Sequence, residues 1–161
     1  MTRYLQIDPT VAKDTEPILE ISRQTRVFDD EELATIQELL NEYFSQGAQK
    51  SGYYFLSCRK DQLVTGFACY GPRALTQGTF DLFWIATAPT TARQGTGQAL
   101  LARVAQDVKA MQGRLIIAET SGRPDYAPAR NFYEKHNYQR AATVADFYAP
   151  GDDLVMYVYR L

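Results

Sequence analysis

Apolar residues along the chain change their spacing several times, and each change marks an element. Ile18, Leu19 and Ile21 fall on one face of a helix that Asp14 can cap and that runs to about Thr25. Phe28-Asp29-Asp30-Glu31-Glu32-Leu33 then sets Asp29 as an N-cap with Glu32 three residues on and a Phe28/Leu33 staple. Leu33, Ile36, Leu40 and Tyr43 or Phe44 carry that second helix to about Ser45. Before these helices, Arg3 to Asp8 alternates weakly and stops at Pro9, which predicts a short first strand. After them, Gln46 to Gly52 reads as a polar connector.

The period then shortens to two. Tyr53–Arg59 and Leu63–Tyr70 are β-rich runs separated by Lys60-Asp61-Gln62, a hairpin, and Gly71-Pro72 closes the second. In Thr79–Thr87, Phe80, Leu82, Trp84 and Ala86 point one way and Asp81, Phe83, Ile85 and Thr87 the other. A run apolar on both faces predicts a central strand covered on each side. From Gly97 to about Met111, Leu100, Leu101, Val104, Val108 and Met111 mark one helical face, with Gly113 placed as its stop. Arg114–Thr120 is a fifth strand whose Leu-Ile-Ile-Ala core suits a buried parallel neighbour of the fourth, joined by a helical crossover. Ser121–Tyr126 is a loop, Pro128 suits the first turn of a helix carrying Phe132 and Tyr133, and Asn137 can take the left-handed position after it. Tyr138–Ala149 and Leu154–Leu161 close the chain as two strands joined through Pro150-Gly151-Asp152-Asp153. No repeat, low-complexity tract or linker interrupts residues 1–161, which read as one domain.

Composition narrows the classes. At 161 residues and 45% hydrophobic, the chain can bury roughly two-thirds of its unfolded surface. A net charge of −2 without any block of like charge argues against a general nucleic-acid or anionic-membrane binder and tolerates a cationic substrate. Cys58 and Cys69 sit in separate β runs without metal-ligand spacing, so they read as buried thiols in a reducing cytoplasm, and no metal is expected. The N-terminal stretch lacks an apolar targeting core and no run is long enough to span a bilayer; the expectation is a soluble cytoplasmic protein.

Candidate chemistry centres on Asp81–Leu101. Ala92-Arg93-Gln94-Gly95-Thr96-Gly97 follows a β run and opens a helix, so N–H groups of the turn and of the first helical turn can converge on an anion such as a pyrophosphate. A Gly-rich helix start with a purely structural role is the alternative. A Walker loop is excluded for want of Gly-Lys-Ser/Thr, and a dinucleotide fingerprint by Leu100.

This segment resembles motif A of the GNAT superfamily of acetyl-CoA-dependent N-acetyltransferases, in which Arg/Gln-x-x-Gly-x-Gly/Ala follows the fourth strand and grips the CoA pyrophosphate. Gly95 and Gly97 match, whereas Ala92 stands at the first position beside Arg93 and Gln94. Ala129-Arg130-Asn131-Phe132-Tyr133-Glu134-Lys135-His136-Asn137-Tyr138 resembles the family's motif B, with Asn137 in place of its glycine. The resemblance covers the chain from about Tyr4 and is strongest from Thr79 to Tyr138. It implies an α/β fold with a mixed, mostly antiparallel seven-stranded sheet and about four helices, in the order β-α-α-β-β-β-α-β-α-β-β.

It also implies roles. Acetyl-CoA would be the co-substrate, held by Ile85, Ala86, Thr87, Arg93, Gln94, Gly95, Thr96, Gly97, Arg130 and Asn131. An Asn that often bonds the pantetheine arm is replaced by Tyr126, and Asn131 lies off that register. Asp81 stands where relatives place a Glu base, and burial beside apolar groups would make it a better base near neutrality; a strand-edge ion pair is the alternative. Tyr133 would face the CoA sulfur and protonate the leaving thiolate, with core packing as the competing role. Glu119 and Tyr148 are candidate contacts to the acceptor, Glu119 being readable also as a second base and equally as a strand-end salt bridge. His136, in the last turn of its helix, reads as dipole compensation.

The implied reaction is direct attack of a primary amine in a ternary complex, because no Cys-His or Ser-His pair is evident. The partners are then acetyl-CoA and a small-molecule or protein amine, in a monomer or homodimer. A catalytically weak acyl-CoA-binding regulatory module and a protein-interaction domain are the rival readings.

Overall fold

A computed structural model of the chain describes residues 4–161, so Arg3 of the expected first strand lies outside the described residues. The strands are β1 (Gln6–Pro9), β2 (Tyr54–Lys60), β3 (Leu63–Pro72), β4 (Thr79–Thr87), β5 (Leu115–Ser121), β6 (Gln139–Ala149) and β7 (Asp152–Arg160). The helices are α1 (Thr15–Gln24), α2 (Asp30–Gln46), α3 (Ala48–Ser51), α4 (Thr96–Ala110) and α5 (Ala127–Lys135). One seven-stranded sheet has the order β1-β2-β3-β4-β5-β7-β6. Its β4–β5 pair is parallel, whereas β1–β2, β2–β3, β5–β7 and β6–β7 are antiparallel. Among the described residues no helix is long and apolar enough to cross a membrane.

The expected order holds with one addition. The connector after α2 contains a single helical turn, α3, bounded by Gly47 at φ 80° and Gly52 at φ 78°. Four residues are too few to show an amphipathic period, so the pattern could not announce it. The Asp29 capping box is present: Glu32 N–H donates to Asp29 Oδ1 at 2.8 Å and Asp29 N–H to Glu32 Oε2 at 2.8 Å. The hairpin turn is Asp61-Gln62 with φ 51° and 68°, both left-handed, and Lys60 belongs to β2.

The chain divides into two compact units. The first runs through Gly71 and adds Trp84–Gln106. Its core gathers Ile18, Leu19 and Ile21 of α1, Ile36 and Leu40 of α2, Phe55, Phe67 and Cys69 of the hairpin, and Ala86 and Ala88. Asp14, expected as an N-cap, directs its carboxylate elsewhere. It accepts from Val11 N–H at 3.1 Å and Ser57 Oγ at 2.9 Å and pairs with Arg59, so it joins α1 to β2 rather than closing the helix start. At 2% exposure this carboxylate is tolerable only because it is paired and hydrogen-bonded.

The second unit comprises Pro72–Phe83 and Asp107–Leu161. Here α4 ends differently from the expectation. Gln112, at φ 61°, takes the left-handed position, while Gly113 N–H donates to Val108 O at 2.8 Å. Gly113 is required for space: a Cβ there would lie 2.2 Å from Val108 Cγ1. Asn137, at φ 66°, ends α5 as expected, with Tyr138 N–H donating to Tyr133 O at 3.0 Å. The edge strand β6 is exposed along its whole length.

Candidate active site

In the first unit, β4 leads through a short helical turn at Pro89–Thr91 into the glycine turn. Arg93, at φ 62°, and Gly95, at φ 85°, are both left-handed, and alternation of this kind folds successive N–H groups into an anion-binding nest. Gln94 N–H donates to Thr91 O at 3.3 Å, and Ala99 N–H to Gly95 O at 2.9 Å closes the first turn of α4. Among the described residues, the N–H groups of Arg93, Gly95, Thr96, Gly97 and Gln98 donate to no protein acceptor. Five donors at one helix start, joined by the positive end of its dipole, fit a diphosphate.

Side chains near this turn refine the picture. Arg93 and Gln94 are exposed, and Gln94 Oε1 accepts from Lys60 Nζ at the end of β2. Lys60 is a cation beside the turn that the sequence reading passed over, because only the hairpin register brings it there. Thr96 is 2% exposed, and its Cγ2 would lie 2.7 Å from a Cβ on Gly66 of β3. Gly66 therefore permits the close approach of the helix start. Ala86 is buried, while Ile85 and Thr87 are half-buried. The β4–β5 ladder extends from Thr79↔Leu115 to Leu82↔Ala118, which leaves Ile85–Thr87 outside that pairing.

In the second unit, Asp81 pairs in register with Ile117, and Glu119 lies two residues beyond Ile117, so both carboxylates share one face. Arg73, just after β3, joins them. Its Nε donates to Asp81 Oδ1 at 2.9 Å and Oδ2 at 3.0 Å, and its Nη2 to Glu119 Oε1 at 3.0 Å. The ion-pair alternative for each carboxylate is thus what the structure contains, and burial alone does not describe Asp81. Arg73 was missed by the sequence reading; its one signal is a charge immediately after the Gly-Pro end of an apolar strand.

Tyr133 of α5 is 7% exposed, with ring centroids 5.5 Å from Tyr157 and 5.4 Å from Tyr138. Burial pushes its phenol well above the ordinary range, so it stays protonated at neutral pH. Among the described residues nothing hydrogen-bonds its hydroxyl. Arg130 Nη1 donates to Ser121 O at 2.7 Å and Arg123 O at 2.8 Å, so this charge ties down the loop before α5. Asn131 is exposed on α5. Tyr148 stands half exposed on β6, edge-on to Phe147. Burial, with Lys135 alongside, lowers the His136 pKa, which disfavours the charged ring that dipole compensation needs. It packs edge-on against Phe132 at 4.8 Å instead.

A mixed seven-stranded sheet in which β4 pairs in parallel with β5 and leads into an anion-ready helix start is the arrangement of the GNAT fold. The model of the acetyltransferase (GNAT) domain matches residues 50–140. The chain belongs to the GNAT acetyltransferase family. A GNAT-family protein from Desulfovibrio desulfuricans is 39% identical, with a TM-score of 0.93 over 98% of this chain and 99% of that one. The ribosomal-protein-S18-alanine N-acetyltransferase from Escherichia coli has a TM-score of 0.77 at 19% identity, over 98% and 94% of the two chains. A GNAT family acetyltransferase from Elizabethkingia anophelis, solved with acetyl-CoA bound, has a TM-score of 0.71 at 16% identity, over 98% of each chain. A comparison with curated proteins yields no match.

Proposed function

We propose that the protein transfers an acetyl group from acetyl-CoA to a primary amine by direct attack in a ternary complex. The observation that carries this reading is the nest of unsatisfied N–H groups at Arg93 and Gly95–Gln98. Arg93 and Lys60 supply positive charge beside it, and Gln94 holds Lys60 in place. Arg130 and Asn131 stand as cofactor contacts proposed from the motif, Arg130 through the loop that it anchors.

Bound acetyl-CoA supplies an activated thioester. N–H groups on one edge of β4 near Ile85 to Thr87 polarise its carbonyl; fixed donors of this kind contribute about 3 kcal/mol each in known cases. Asp81 takes a proton from the acceptor ammonium, directly or through a water, with its lone pairs away from Arg73, and the neutral amine then attacks the carbonyl carbon. As the C–N bond forms the C–S bond breaks, the nitrogen releases its second proton to solvent, and Tyr133 donates a hydrogen bond to the departing thiolate. A phenol whose pKa lies above that of a thiol stabilises the thiolate better than it protonates it, so the final proton comes from solvent. Glu119 and Tyr148 are proposed contacts for a cationic acceptor. The buried free thiols of Cys58 and Cys69 support a reducing, cytoplasmic location.

One observation favours the rival reading of an acyl-CoA-binding regulatory module: both oxygens of Asp81 already contact a guanidinium. A thiol-release assay with acetyl-CoA and a panel of polyamines, amino acids, lysine peptides and peptide N-termini separates the two. Turnover with at least one amine is expected. CoA binding without thiol release from any of them would establish the module, and calorimetry showing no heat with CoA would remove both readings.

A further inference from the structure

Arg73 carries an inference that rests on the acyl-transfer reading and extends it. The residue begins the β3–β4 connection, where its N–H donates to Thr79 O at 2.8 Å and its own carbonyl accepts from Thr76 Oγ1 at 2.8 Å. Its backbone is therefore anchored to the start of the strand that bears Asp81. From there the side chain meets Asp81 through two nitrogens, with Nη2 2.8 Å from Oδ1, and reaches Glu119 with the same Nη2. One planar fork holds two carboxylates that would otherwise repel each other on one face. An ammonium, being a point charge, cannot reproduce that geometry.

We propose that Arg73 is a positioning residue for deprotonation of the acceptor amine: it fixes the rotamer of Asp81 and separates its charge from that of Glu119. Only the Asp81 lone pairs turned away from the guanidinium then face the amine. The arrangement assigns Glu119 a second duty as the far anchor of Arg73. The consequence is a specific coupling. Arg73 matters most while Glu119 is charged and less once Glu119 is neutral.

The test compares the wild type with Arg73→Ala, Arg73→Lys, Glu119→Gln and the Arg73→Ala/Glu119→Gln double variant, each checked by thermal melting. In Arg73→Ala, kcat is expected to fall about tenfold or more while KM for acetyl-CoA stays within about twofold. Arg73→Lys, which also serves if the alanine variant fails to fold, should recover only part of the rate, and free guanidinium should partly rescue Arg73→Ala. In the Glu119→Gln background the loss should shrink, a non-additivity that a merely structural role would not produce. A folded Arg73→Ala enzyme with wild-type kcat overturns the inference and leaves the transferase reading intact. So does an equal loss in both backgrounds with no response to guanidinium. A wild type that binds CoA but turns over no amine overturns both.

Discussion

At Asp81 a single oxygen-for-nitrogen change tests the chemistry. The carboxylate is only 14% exposed and meets Arg73 through both oxygens, so Asp81→Asn keeps the shape while removing the charge and the ability to accept a proton. Turnover is expected to fall about a hundredfold, the middle of the range for a positioned base, with CoA affinity unchanged because the main-chain donors at Arg93 and Gly95–Gln98 hold the diphosphate. Steady-state kinetics beside calorimetry decides, and equal loss in both measurements counts against the assignment. Tyr133 allows a cleaner separation of rate from fold. Its hydroxyl has no hydrogen-bonded protein partner among the described residues, so Tyr133→Phe removes no internal bond and should leave the melting point within about 2 °C. The rate should nonetheless drop, since the thiolate loses its donor. A fully active variant refutes the role.

At the scale of elements, what the sequence disclosed depended on whether the deciding interaction was local. The Asp29/Glu32 box was legible because both partners lie within one helical turn, and Asn137 because a left-handed residue must follow a helix that ends in that way. The glycine turn was legible through Gly95, but Arg93 was not marked as left-handed, since most residues with a Cβ avoid that region. Lys60 and Gly66 were invisible because each acts on an element far along the chain, and the reach of Arg73 to Glu119, 46 residues on, was hidden for the same reason although Asp81 is only eight residues away. Gly66 offers the sharpest test of such a distant contact. A Cβ there would sit 2.7 Å from Thr96 Cγ2, 2.9 Å from Ala86 O and 3.3 Å from Leu100 Cδ1. The carbonyl cannot yield without disturbing β4, so α4 must shift at its first turn. Gly66→Ala is expected to cost about 1–3 kcal/mol in urea unfolding, as overpacking does, and to weaken CoA binding. Full CoA affinity in a folded Gly66→Ala protein would mean that the helix start does not hold the diphosphate.

For the molecule as a whole, the nest belongs to the first compact unit and the carboxylate pair to the second. The chain bears a net charge of −2, so attraction of a polyanion cannot come from global charge and must come from local donors. Adenosine diphosphate carries the diphosphate without the thioester arm. It should slow hydrogen exchange of the amides at Arg93 and Gly95–Gln98, whose N–H groups lack protein acceptors. Acetyl-CoA should raise the melting temperature through mass action, about 2.7 kcal/mol of added stability at a concentration one hundred times its Kd. Because the donors are main-chain groups, Arg93→Ala should weaken this stabilisation without abolishing it, whereas reshaping the backbone by Gly95→Val should abolish it. Valine is disfavoured at a φ of 85°, although nothing lies within 4 Å of a Cβ at that position, so any loss reflects backbone conformation rather than crowding. Undiminished stabilisation of a folded Gly95→Val protein by acetyl-CoA would place the diphosphate somewhere other than this turn.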